Sequence, residues 1–165
     1  MRVFHTAAIA AFCIVLAACS KGEEKSESGS TPVAAVAAAP SDTEKAALLA
    51  ALPAPYNAGD LANGQRKFAL CRSCHTIAEG GPALTGPNLY GVFGRPSGAV
   101  ADYAYSPALK AAGFVWDGEH LDKWLADPRG FMPGTKMAFA GLKDPKDRVD
   151  LIAYLKVETG FKPAP

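Results

Sequence analysis

The chain has 165 residues, with 17 Lys and Arg against 16 Asp and Glu, for a formal charge of +1 at pH 7. Such a length leaves room for one domain of about 100 residues plus extensions. The near-neutral balance lacks the strongly basic face that nucleic-acid binding requires, so no nucleic-acid partner is expected.

In chain order, Arg2 gives a positive start, Ala7 to Ala18 is an apolar run, and Leu16-Ala17-Ala18-Cys19 closes it. A membrane-spanning helix needs roughly 20 apolar residues, and this run is well short of that before Lys21. Residues 1–18 therefore read as a secretory signal. A cysteine placed where the run stops resembles the bacterial lipoprotein signal, in which that residue becomes the lipid-modified start of the mature chain. Cys19 is the expected lipidation site, and the expected location is the periplasmic face of a bacterial membrane, held there by the lipid.

Residues 19–57 are dominated by Ser, Gly, Glu, Ala and Pro, with no aromatic before Tyr56. Too poor in bulk to build a core, they read as a flexible tether. Within them, Ser41-Asp42-Thr43-Glu44 has the form of a capping box opening a short helix through Leu52, stopped by Pro53. Its leucines (Leu48, Leu49 and Leu52) either dock on the domain or float free.

The folded domain is expected over residues 58–163 and reads all-α. A first helix covers roughly Asp60 to Leu70, with Leu61, Gly64, Phe68 and Cys71 near one face. Ser106-Pro107 is an N-cap and N1 pair for a short helix ending at Gly113. Asp117 caps a helix carrying Leu121, Trp124 and Leu125, and Pro128 stops it. Asp144-Pro145 opens a last helix with Val149, Leu151, Ile152, Tyr154 and Leu155, and Gly160 lies just beyond. Long Gly/Pro-rich loops, Thr76 to Tyr105 and Arg129 to Lys143, separate these helices. Loops of that length in so small a domain imply that they wrap something, and a large apolar cofactor fits the shortfall in core.

The stretch Cys71-Arg72-Ser73-Cys74-His75 names the cofactor. Structural zinc needs four ligands, and the processed chain offers only His120 besides these three. Thiol–disulfide cycling expects a βαβ setting that a helical chain lacks. At positions i, i+3 and i+4 of a helical turn, both thiols and the imidazole project to one side. The thiols can then add to the two vinyl groups of a haem while His75 meets the iron, and Cys-x-x-Cys-His is the attachment signal for one covalent haem c. Met132, Met137 and His120 are candidates for the second axial position, and spacing alone leaves them open. A thioether there would raise the potential relative to two histidines and leave no open position for a substrate.

The stretches FALCRSCHT, GPNLYGVFGR, DPRGFMPGTKMAFAGLKD and RVDLIAYLK closely resemble class I cytochromes c of the mitochondrial and bacterial c2 type. The resemblance spans roughly Gly59 to Val157 and implies the class I fold, short helices and long loops wrapped around one covalently bound haem. It implies Met137, at the end of PGTKM, as the axial partner of His75, with Met132 an apolar loop residue. It further implies that the Pro87 carbonyl orients the other ring nitrogen of His75. Arg95, Tyr105, Trp116 and Thr135 match residues that enclose the haem propionates, and Gly64, Phe68, Leu151 and Tyr154 match the crossing of the first and last helices. His120 reads as a solvated surface residue.

Two positions depart from the family. Trp124 stands where a tyrosine is common and Leu109 where an asparagine is common. Indole can donate but not accept, and leucine does neither, so the pocket behind Met137 should be drier and the potential higher. A redox titration of Trp124→Tyr with Leu109→Asn tests this, and an unchanged potential sinks it.

From Asn57 onward there are thirteen Lys and Arg and eleven Asp and Glu, too even a balance for strong long-range steering. Arg72, Arg129, Lys136 and Lys143 are the residues expected to form a local basic ring at the exposed haem edge. The function implied is a membrane-tethered one-electron carrier, not an enzyme and without a small-molecule substrate. Its implied partners are a quinol–cytochrome c oxidoreductase and a terminal oxidase. The alternatives are an electron-accepting haem subunit of a periplasmic dehydrogenase, or a haem enzyme or sensor with a displaceable methionine.

Overall fold

The computed structural model describes residues 40–162, so the expected signal and the lipidation site Cys19 lie outside the described residues. Among the described residues six α-helices follow one another: α1 Asp42–Ala50, α2 Leu61–Phe68, α3 Pro107–Ala111, α4 Gly118–Ala126, α5 Pro128–Phe131 and α6 Pro145–Glu158, with a 3-10 turn at Tyr56–Ala58 before α2. Among the described residues the only β pairing is an isolated bridge between Pro96 and Val115.

The helices begin on the caps that their sequences carry. Asp60 accepts from the Asn63 N–H at 2.9 Å, Asp117 from the His120 N–H at 2.7 Å, and Asp144 from the Lys146 N–H at 2.8 Å. Each satisfies a backbone donor that a helix start leaves unpaired. Ser41 and Glu44 form the capping box of α1 reciprocally. One expectation needs correction. α4 ends at Ala126, just before Pro128, as its sequence indicates, but Pro128 also opens α5 in its first turn, where its missing N–H costs nothing. Asp127 between them accepts from the Gly130 N–H at 3.2 Å, so the expected loop from Arg129 opens with helix.

α6 is the central element, with Leu151, Ile152 and Ala153 fully buried. α2 crosses it at Gly64, where a Cβ would meet the Asp150 carbonyl and lie 2.5 Å from the Tyr154 Cβ. Only glycine permits this approach. Beside the crossing, the buried Asp150 carboxylate accepts from the Asp60 N–H at 2.9 Å, Asn63 Nδ2 at 2.8 Å and Lys146 Nζ at 2.6 Å.

The tether boundary is the second correction. α1 ends at Ala50 and packs on α6 rather than floating: Leu52 is buried with Ala153 and Val157, and Leu48, Leu49 and Phe161 pack against them. Lys45 bonds Glu158 at 2.6 Å. Residues 40–57 therefore belong to the folded unit. Composition missed this because three leucines suffice to hold a helix when a groove on α6 receives them.

Candidate functional site

A cavity of about 810 Å³ opens between the loops and α6. Its first wall is the helical turn that continues α2. The Cys74 and His75 N–H groups both donate to the Cys71 carbonyl at 3.0 Å, which brings the two sulfurs and the imidazole to one side. Cys71 and Cys74 are free thiols. Burial, with Cys74 nearby, pushes the Cys71 thiol up to about 11, so it is a poor thiolate for disulfide exchange. Among the described residues no three His, Cys, Asp or Glu side chains converge as a metal cluster.

The His75 Nδ1 lies 2.7 Å from the Pro87 carbonyl. A carbonyl only accepts, so Nδ1 carries the proton and the Nε2 lone pair is left free to bind a metal. Burial pulls the imidazole pKa down, against the opposing pull of that bond, and favours the neutral form that ligation needs. Gly86 makes the contact possible: a Cβ there would stand 2.6 Å from Nε2 and 2.7 Å from Nδ1. Sequence reading missed Gly86, although its place beside Pro87 was the available signal.

The loop Pro133–Gly141 supplies Met137 to the same cavity, and its N–H donates to Thr135 Oγ1 at 3.1 Å. Met132 is buried in the core and does not line the cavity. His120 lies off the cavity too. It is half-buried rather than solvated, 2.9 Å from Asp117 Oδ1 and stacked on Phe114 with ring centroids 4.5 Å apart.

Arg95, Tyr105, Trp116, Trp124 and Thr135 all line the cavity. Trp116 and Trp124 meet edge-on at 5.6 Å, and Leu109 is buried beside them. The Arg95 guanidinium donates to the Asn88 carbonyl at 3.0 Å and the Tyr90 carbonyl at 3.1 Å. Its Nε is the one buried side-chain nitrogen or oxygen without a partner among the described residues. Burial pulls its pKa down, yet guanidinium stays charged in proteins. Two closing contacts had no signal in the sequence, because each joins loops distant in the chain. The Tyr103 hydroxyl donates to the Thr85 carbonyl at 2.5 Å, and Lys136 Nζ to the Ala104 carbonyl at 2.9 Å.

The donor set fits a haem. Two thiols stand beside an imidazole with a free lone pair, a thioether lines the same apolar walls, and one unpaired buried donor answers an acid group. A large planar apolar molecule with two carboxylates and two vinyl groups matches that set.

Comparison with known proteins agrees. The family model described as Cytochrome c matches residues 61–157. Cytochrome c of Theileria parva is 56% identical over 99 residues, 59% of this chain and 85% of that protein. Cytochrome c of Chlamydomonas reinhardtii is 52% identical over 103 residues, 62% of this chain and 92% of that protein. Among solved structures, cytochrome cH from Methylobacterium extorquens aligns with a TM-score of 0.56 at 49% identity, covering 59% of this chain and 98% of that one. α1 precedes the residues the family model matches.

Proposed function

The chain belongs to the cytochrome c family, with the class I fold and one covalently bound haem c, and we propose that it works as a lipid-anchored carrier between membrane redox proteins. The haem supplies a single site that takes up and releases one electron. The residues do the rest. Cys71 and Cys74 would hold the group through thioether bonds, and His75 Nε2 and the Met137 sulfur would be the ligands to its iron. The Pro87 carbonyl keeps the imidazole in one tautomer and one orientation. Arg95 Nε, in the cavity that Tyr105, Trp116 and Thr135 also line, would receive a propionate. Trp124 and Leu109 keep water from the side of Met137. The chain makes and breaks no bonds in this role.

On this reading the donor is a quinol–cytochrome c oxidoreductase and the acceptor a terminal oxidase. Lipid on Cys19 keeps the carrier at the periplasmic face of a bacterial membrane. The observation that carries the site assignment is that His75, with its free Nε2, and Met137 share one cavity, whereas Met132 and His120 do not. The test is the ferric absorption spectrum of the purified protein. Met137→Leu should abolish the weak sulfur-to-iron charge-transfer band and Met132→Leu should keep it; the reverse pattern would reassign the ligand.

A further inference from the structure

We propose that redox partners dock on an apolar, nearly charge-balanced patch at the cavity mouth, centred on Leu70 and Leu84, rather than on a ring of basic residues. This rests on the electron-carrier reading above and adds the chemistry of the partner's face. Leu70 is 58% exposed and Leu84 47%, and only Val115 is comparably exposed among the large apolar side chains of the described residues. Both leucines line the opening of the haem cavity, where an electron must leave. Single exposed leucines are ordinary, but a pair on the rim of the working site is an interaction surface.

The rim fixes the backbone at both leucines. The Leu84 N–H donates to the Gly86 carbonyl at 2.9 Å, the Thr85 carbonyl beside it accepts from Tyr103, and the Leu70 N–H donates to the Lys67 carbonyl at 3.1 Å. These bonds tie down the backbone that carries the two side chains.

Among the side chains that line the cavity, charge is nearly balanced. Of Arg72, Arg129, Lys136 and Lys143, the cations expected to ring the haem edge, only Lys136 lines the cavity. Its ammonium lies against the Ala104 carbonyl, and that of Lys143 against the Ala126 carbonyl at 2.9 Å. The exposed Asp102 also lines the cavity and offsets Lys136. Arg95 is committed inside. The neighbouring rim residues (Ser73, Ala83, Thr85, Ala104 and Ala138) are small and uncharged.

A strongly acidic partner would press its carboxylates against two leucines and strip their water without compensation. The occupant that fits is a redox protein whose own contact face is apolar and close to neutral. Such a contact is not weakened by salt, because burial of leucine is not screened as exposed charges are.

The test is stopped-flow oxidation of the reduced full-length holoprotein by membranes of the source organism. The bimolecular rate should change less than about threefold between low and high salt. Leu70→Lys with Leu84→Lys should slow it about tenfold, with spectrum and midpoint potential unchanged, and Leu70→Met with Leu84→Met should preserve it. A rate that falls about tenfold or more with salt, or that ignores the lysine pair, overturns the proposal alone. So does a lysine pair that slows only self-exchange between ferrous and ferric copies, or only binding to neutral phospholipid vesicles; the patch would then meet a second copy or the lipid. Membranes that never oxidise the wild-type protein at any salt concentration overturn the carrier reading as well.

Discussion

The two sides of α6 solve the same packing problem differently. Residues two apart on a helix point about 200° from one another, so Leu151 and Leu155 face the cavity while Ala153 and Val157 face α1. On the α1 side the protein closes its own core with Leu48, Leu49 and Leu52. On the cavity side the protein leaves about 810 Å³ for the haem. A cleft of that size lined by apolar side chains lacks the contacts that a packed core makes, so this side of the fold depends on the group that fills it. One side of α6 is thus a core complete in protein, and the other is a core only with its cofactor.

The largest break in that comparison is removal of the haem. Cys71→Ser with Cys74→Ser takes away both covalent attachments, and the chain should lose its fold altogether. Far-ultraviolet circular dichroism should show most helix gone at 25 °C, with no cooperative thermal transition. A haem-free double variant that still melted cooperatively would mean that the loops close over the cavity by themselves. The second break leaves the haem in place and opens the other side. Leu52→Ala deletes a side chain only 5% exposed and should cost about 3 kcal/mol in denaturant unfolding. The spectrum and midpoint potential should stay as in the wild type, since Ala153 and Val157, with which Leu52 is buried, do not line the cavity. A shift in potential would show that the two sides are coupled through α6.

The two sides were also unequally legible in the sequence. Cys71, Cys74 and His75 declare themselves because covalent haem attachment fixes residue types at fixed spacing. Met137, Pro87 and Arg95 were reached through several motifs standing in a family's order. None of that helps with α1, which precedes the matched residues. Its capping box announced a helix, but docking depended on a groove formed by Ala153, Val157 and Phe161 about a hundred residues later in the chain. Pro128 ends α4 as its sequence indicates, but the short α5 that it also opens was not legible, because a proline can end one helix and begin another. The Tyr103 and Lys136 contacts close loops far apart in the chain, so no local pattern carries them.

The smallest effect belongs to the seam between the two sides, where α2 crosses α6. Asp150 is only 1% exposed. Burial alone would raise its pKa, but the bonds from Lys146, the Asp60 N–H and Asn63 outweigh it and hold the carboxyl below the usual carboxylate range. A group with a depressed folded pKa contributes stability that is present above its unfolded value and is lost as pH falls through the folded one. Stability should therefore be flat near neutrality and decline from about pH 4 downward as Asp150 takes up a proton. Asp150→Asn should cost about 1–2 kcal/mol at pH 7, since the amide keeps the packing but loses the charge-assisted bonds. It should also flatten the acid limb of the stability curve, because the variant has no proton to gain at this position. Urea midpoints of both proteins between pH 3 and pH 7 measure the two effects together. Parallel curves for wild type and variant would mean that the seam is held by Gly64 and shape alone, with Asp150 only filling space.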